Sequence, residues 1–264
     1  MNTRPAAVAG TFYPADAITL AHELRTMLSD AEAPALRPKA LIAPHAGYIY
    51  SGPIAASAYA LLSPIAHQIT RVILLGPTHH VAIRGLALPG ADAFDTPLGR
   101  IEIDLEAAQK IALLPQVTVS PQAHTLEHSL EVQLPFMQTL LPDFKLLPLA
   151  VGAATPDQVA EVLEILWGGP ETLIVVSTDL SHFLPYPVAQ QMDSATAEAI
   201  LNLQWPVSHE QACGGTPVNG LLLAANHHDL RPHLLDLRNS GDTAGDKSRV
   251  VGYGAFAFTE TEHD

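Results

Sequence analysis

Four places in the chain put side chains capable of proton transfer or metal binding at the end of an apolar run or just ahead of a helix. His45 stands in "LIAPHAGYIYSG", His79 and His80 close "LLGPTHH", and Asp179 and His182 share "VVSTDLSHF". The lone cysteine, Cys213, lies in "ACGGTPVNGLLLAANHH". A neutral imidazole ligates transition metals and, titrating near neutrality, also moves protons. Two imidazoles and a thiolate make a three-ligand metal site with positions left for water, oxygen or substrate. Thr216 and Pro217 read as the cap and first turn of the helix after Cys213. The positive end of that helix is then expected to favour the Cys213 thiolate, and the two glycines beside it suit a backbone that approaches a neighbour closely.

Two other chemistries compete for these residues. "HTLEH", His124 to His128, matches the H-x-x-E-H pattern in which two histidines on one helix bind zinc and Glu127 serves as base of a zinc-dependent hydrolase. Pro121 lies just upstream and the apolar helical run begins only near Leu130, which places His124 in the preceding loop. Asp179, His182 and Cys213 also permit a cysteine hydrolase, its thiol activated by a histidine that a carboxylate orients.

The elements that must position these groups follow from hydrophobic spacing. "KALIAP", "RVILLGP", "FKLLPLAVG" and "TLIVVSTD" are near-continuous in apolar residues and end in turn residues, the pattern of strands buried on both faces. "SGPIAASAYALL", "DLEAAQKIALL", "PDQVAEVLEILW" and "VAQQMDSATAEAILNL" carry helical spacing, with Thr155 and Pro156 as an N-cap and first-turn pair. "HLLDLRNSGD" and "SRVVGYGAFAF" alternate and predict an antiparallel pair. The expected fold is α/β: a single domain over residues 1–264, with a mixed, mostly parallel central sheet flanked by helices. His45, His79 and Asp179 then fall at the carboxyl ends of strands, the edge where open α/β sheets bind ligands.

Composition narrows the function. The formal charge of −14 comes with no basic stripe gathering the 13 lysines and arginines, which argues against nucleic acid and anionic membrane as partners. No leader pattern or membrane-length apolar segment is visible, so the chain reads as a soluble, cytoplasmic protein. One cysteine excludes an intramolecular disulfide framework.

Taken together, "AGTFYPAD", "APHAGYIYSG", "LLGPTHH", "EHSLEVQLPF", "VVSTDLSHF", "CGGTPVNGLL" and "VGYGAFAF" resemble, in order over nearly the whole chain, the Memo family, whose prokaryotic members are called AmmeMemoRadiSam system protein B. The resemblance implies a fold similar to the LigB-like class III extradiol dioxygenases. It also implies a mononuclear iron or copper site, Fe2+ or Cu+ with zinc as an alternative, whose ligands map onto His45, His79 and Cys213. Asp179, His182 and His128 fall on motif positions that line the same pocket and are the candidate catalytic residues. His182 is the candidate general acid or base, and Asp179 would orient it or a neighbouring ligand. A thiolate as third ligand departs from the two-histidine, one-carboxylate triad of the extradiol enzymes, so catechol cleavage does not carry over with the fold. The resulting expectation is an oxidoreductase acting on a small molecule. Its alternative is a non-catalytic metal carrier or a partner protein of a radical SAM system.

Overall fold

The computed structural model describes residues 2–261. Among the described residues, twelve strands run in chain order: β1 (Thr3–Arg4), β2 (Pro38–Ala43), β3 (Arg71–Pro77), β4 (Leu86–Leu88), β5 (Ala93–Thr96), β6 (Gly99–Glu102), β7 (Val117–Val119), β8 (Lys145–Val151), β9 (Thr172–Ser177), β10 (His182–Leu184), β11 (Arg231–Asn239) and β12 (Val250–Thr259). The helices are α1 (Ala17–Asp30), α2 (Tyr48–Tyr59), α3 (Leu105–Ile111), α4 (Pro121–Thr125), α5 (His128–Glu131), α6 (Leu134–Leu140), α7 (Pro156–Leu166), α8 (Tyr186–Leu201), α9 (Gly215–His227) and α10 (Ser240–Thr243).

The main sheet has the order β10-β12-β2-β9-β3-β8-β4-β7, with β11 also paired to β12. Its centre, β2-β9-β3-β8, is parallel. The flanks turn antiparallel where β12 meets β2, β10 and β11, and where β4 meets β8. β4 and β7 pair in parallel at the far edge. The sheet is therefore mixed, as the sequence predicts, with its parallel pairing concentrated in the four strands that read as continuous apolar runs. A second sheet, β1-β5-β6, has no counterpart in the sequence reading, because its strands are only two to four residues long.

Strand alternation splits the core into two layers. Leu41, Val72, Leu74 and Val175 face the layer under α1, α2 and α6. Ile42, Ile73, Leu75 and Val176 face the layer under α3, α7, α8 and α9. With both faces covered, each central strand must be apolar along its length.

The predicted helices form, with shifted starts. Thr155 caps α7 in a full capping box with Gln158. α2 begins at Tyr48, ahead of the predicted "SGPIAASAYALL", because Phe12 supplies its carbonyl to the Tyr48 N–H at 2.8 Å in place of a side-chain cap. α9 begins at Gly215, so Thr216 and Pro217 are inside the helix and the predicted Thr216 cap is incorrect. The cap is Gly214, whose N–H donates to the Thr178 hydroxyl at 2.8 Å. A Cβ on Gly214 would lie 2.7 Å from the Thr178 Cβ and 2.8 Å from the Ser177 carbonyl, so this turn docks against the end of β9 as only glycine allows. Among the described residues, no helix is long and apolar enough to cross a membrane.

Candidate metal centre

Parallel pairing of β2, β9 and β3 brings their carboxyl ends to one edge of the sheet. His45 follows β2 by two residues, His79 follows β3 by two, and Asp179 follows β9 by two. α5 adds its first residue, His128, and the turn before α9 adds Cys213. His45, His79 and His128 each offer a ligand atom, and these atoms lie within 4.8 Å of one another. The rings of His79 and His128 stack at 4.5 Å, and His45 meets them edge-on at 5.3 and 5.4 Å. The Cys213 sulfur stands 3.3 Å from His45 Nε2. Of the residues singled out in the sequence, His45, His79, His128, Asp179 and Cys213 thus converge, with His128 completing the histidine group and Cys213 in contact with its buried member.

His79 is held from behind by a carboxylate. Glu127, buried, accepts from the His79 backbone N–H at 2.6 Å and pairs with its Nδ1 at 2.8 Å. A carboxylate only accepts, so His79 Nδ1 carries the proton and Nε2 carries the free lone pair. The Glu127 carboxyl is held down at about 2, against its burial, by these bonds and by the Ser129 N–H at 2.9 Å. Ser129 in turn donates its hydroxyl to the Pro77 carbonyl at 2.9 Å, anchoring the end of β3 that delivers His79. Phe12 closes the site on the His128 side, ring centroids 4.7 Å apart.

Burial sets the charge states. It drives the His45 imidazole well below its ordinary value, with neighbouring His128 and His79 adding to the effect. Burial, then His79, brings His128 down to about 4. Both rings are therefore neutral at physiological pH and have lone pairs to offer. Burial pushes Asp179 up to about 7, although the His45 backbone N–H donates to Oδ1 at 2.7 Å. The Cys213 thiol is pushed up to about 12, first by burial and then by Asp179. The expectation of a thiolate favoured by the helix end is thus reversed in the metal-free protein. The backbone N–H groups of Asp179 and Gly214 pull the other way and are outweighed.

Asp179 does not orient His182. Its carboxylate is engaged by the main chain at His45 and Ala46, whereas His182 Nδ1 pairs with the Leu180 carbonyl at 2.8 Å. His182 begins β10, half-buried, with its ring 5.7 Å from that of Phe183. The H-x-x-E-H reading loses its geometry. His124 lies inside a separate short helix, α4, and not in the loop the sequence predicts, and its Nε2 pairs with the Ala87 carbonyl at 2.8 Å. Leu126 and Glu127 break the helix, so His124 and His128 share no face, and Glu127 is committed to His79. His80 is exposed, its ring 6.2 Å from that of His128.

Sequence reasoning missed Ser177 and Gln133, and saw Glu127 only as a hydrolytic base. An acidic residue directly before a candidate ligand was the available signal for Glu127. Ser177 and Gln133 carried none, because each acts through a contact made across the fold.

A mixed α/β sheet with a histidine-lined candidate metal centre at the carboxyl edge of its parallel strands defines the class. The chain belongs to the Memo-like family, whose pattern it matches over residues 4–257. It is 36% identical over 285 residues to a MEMO1 family protein of Ignicoccus hospitalis, spanning 98% of this chain and 99% of that one. It is also 36% identical over 266 residues to a MEMO1 family protein of Aquifex aeolicus, spanning 96% and 98%. An uncharacterized Escherichia coli K12 protein of solved structure aligns with a TM-score of 0.47 at 16% identity, over 82% of this chain and 99% of that one.

Proposed function

We propose that the protein holds one transition-metal ion, iron or copper, at His45, His79 and either His128 or Cys213, and uses it for oxidation–reduction of a small molecule. The observation that carries this reading is the convergence of three imidazoles, with His79 Nδ1 bound by a buried carboxylate that leaves Nε2 free. The donors fit such an ion. Neutral imidazole suits iron, copper and zinc, and a thiolate beside it favours the softer Cu+. A bound ion would supply electron transfer and Lewis acidity.

The chain's own residues would do the rest. Asp179 fixes the His45 main chain through Oδ1. Phe12 excludes water on one side of His128. His182, its basicity lowered first by burial and further by His79, is the proton-transfer candidate.

Anaerobic titration of metal-free protein with Fe2+ and with Cu+ tests the site. His79→Ala should weaken binding at least about tenfold, and unchanged affinity for both ions would refute the reading. Oxygen uptake by metal-loaded protein with small reductants then separates enzyme from carrier. His182→Ala should leave affinity within a few-fold and lower turnover by about a hundredfold or more. Full activity in that variant would remove His182 from the mechanism, and absence of any metal-dependent turnover would favour a carrier or radical SAM partner role.

A further inference from the structure

The hydrogen bonds behind His45 can be counted to completion. Ser177, fully buried at the end of β9, has one hydroxyl proton and three polar neighbours. The Ser129 carbonyl lies 2.6 Å from Ser177 Oγ, Gln133 Nε2 lies 2.8 Å away and His45 Nδ1 lies 2.9 Å away. A carbonyl only accepts, so the single Ser177 proton goes to Ser129. Gln133 is assigned with equal force. Its amide contacts the Pro44 carbonyl at 2.9 Å and receives the Tyr59 hydroxyl at 2.8 Å on its other atom, so Nε2 is the end that faces Ser177 and donates. Ser177 Oγ thus gives one hydrogen bond and must accept from both Gln133 and His45.

From this we infer that Ser177, held by Ser129 and Gln133, is a positioning residue that fixes His45 with its proton on Nδ1 and its lone pair on Nε2, the nitrogen turned toward the candidate centre. The opposite tautomer would set an unprotonated Nδ1 against a hydroxyl oxygen whose proton is already committed. Breaking that commitment would strand the buried Ser129 carbonyl. The contact on the other side of the ring agrees, because Cys213 Sγ stands 3.3 Å from Nε2, within reach of an S–H donor to that lone pair. Ser129 ties the two histidine supports together. Its carbonyl takes the Ser177 proton, while its N–H donates to the Glu127 carboxylate that fixes His79. One peptide segment, Glu127 to Ser129, therefore presets the free nitrogens of both strand-end histidines before any ion arrives.

The assignment deepens the metal reading but is measured without metal. Long-range 1H–15N correlation on metal-free, 15N-histidine-labelled protein should show His45 protonated on Nδ1. A wild-type spectrum with His45 protonated on Nε2 overturns the inference, whatever any variant does. Ser177→Ala should turn His45 into a mixture of tautomers, leave the His79 pattern unchanged and weaken Fe2+ or Cu+ binding about tenfold or more. If Ser177→Ala lowers the unfolding temperature yet leaves the His45 pattern as in the wild type, Ser177 is structural and the positioning role is wrong. Binding of neither ion by the wild-type protein would defeat the metal reading alone, since the tautomer is read from the spectrum independently.

Discussion

Replacing Asp179 by Asn should make the metal-free protein more stable at pH 8 while leaving it nearly unchanged at pH 5. Asp179 is 4% exposed, and burial raises its carboxyl from 3.8 to about 7. A raised folded-state value means the native protein holds this proton more tightly than the unfolded chain. Stability is therefore lost as pH rises from about 4, with the whole deficit present above 7. At 1.36 kcal/mol per unit, the separation of 3.8 from about 7 corresponds to about 4 kcal/mol, of which about 3 develops between pH 5 and pH 8. Asn keeps the oxygen that accepts from the His45 N–H at 2.7 Å. Its amide nitrogen replaces an oxygen that stands 4.0 Å from His45 Nε2, and an unmet buried donor costs about 1–3 kcal/mol. The net expectation is a gain of about 1–3 kcal/mol at pH 8 and roughly no gain at pH 5. Urea unfolding followed by the fluorescence of Trp167 and Trp205, with chelator present, measures both. A difference between variant and wild type that stays flat from pH 5 to pH 8 would refute the argument that Asp179 is a buried charge held at the expense of stability.

Three further outcomes follow from the same geometry. Glu127→Gln removes a buried carboxylate held at about 2 against an ordinary 4.5, so it should cost about 3 kcal/mol at neutral pH. That loss should shrink as pH falls from 4.5 toward 2, because the native advantage exists only while the carboxylate is ionised, and acid unfolding series of both proteins would show it. Calorimetric metal titration at pH 8 in buffers of different ionisation enthalpy should distinguish the third ligand. Coordination by Cys213, whose thiol is held at about 12, releases about one proton, whereas a third ligand from the already neutral His128 releases none. Gly252→Ala should destabilise the protein by about 1–3 kcal/mol or more, since a Cβ there would overlap the buried Asp193 carboxylate that receives the Ser181 N–H. Normal melting behaviour in that variant would show that the loop bearing Asp179 and His182 yields more readily than the packing implies.

Local patterning alone determined much of this protein. The four central strands are apolar along their whole length because both sheet faces are covered, and that signature needs no partner to be read. The strand-end placement of His45, His79 and Asp179 follows directly, as does the Thr155 N-cap of α7. The short strands β1, β4, β5, β6, β7 and β10 were not legible, since two to four residues carry too little periodicity and their pairing is bought by neighbours distant in sequence. Tertiary structure also decided the chemistry of the candidate site. The helix end near Cys213 predicted a thiolate, but burial and the approach of Asp179 from another loop keep the thiol protonated. His124 and His128 share a motif, yet the break at Leu126 and Glu127 sends them to different surroundings. The nitrogen that each strand-end histidine presents depends on acceptors 132 residues away for His45 and 48 for His79. Sequence spacing locates a ligand, but its protonation, tautomer and partners are set by dielectric and hydrogen-bond contacts that arise only when distant segments pack together.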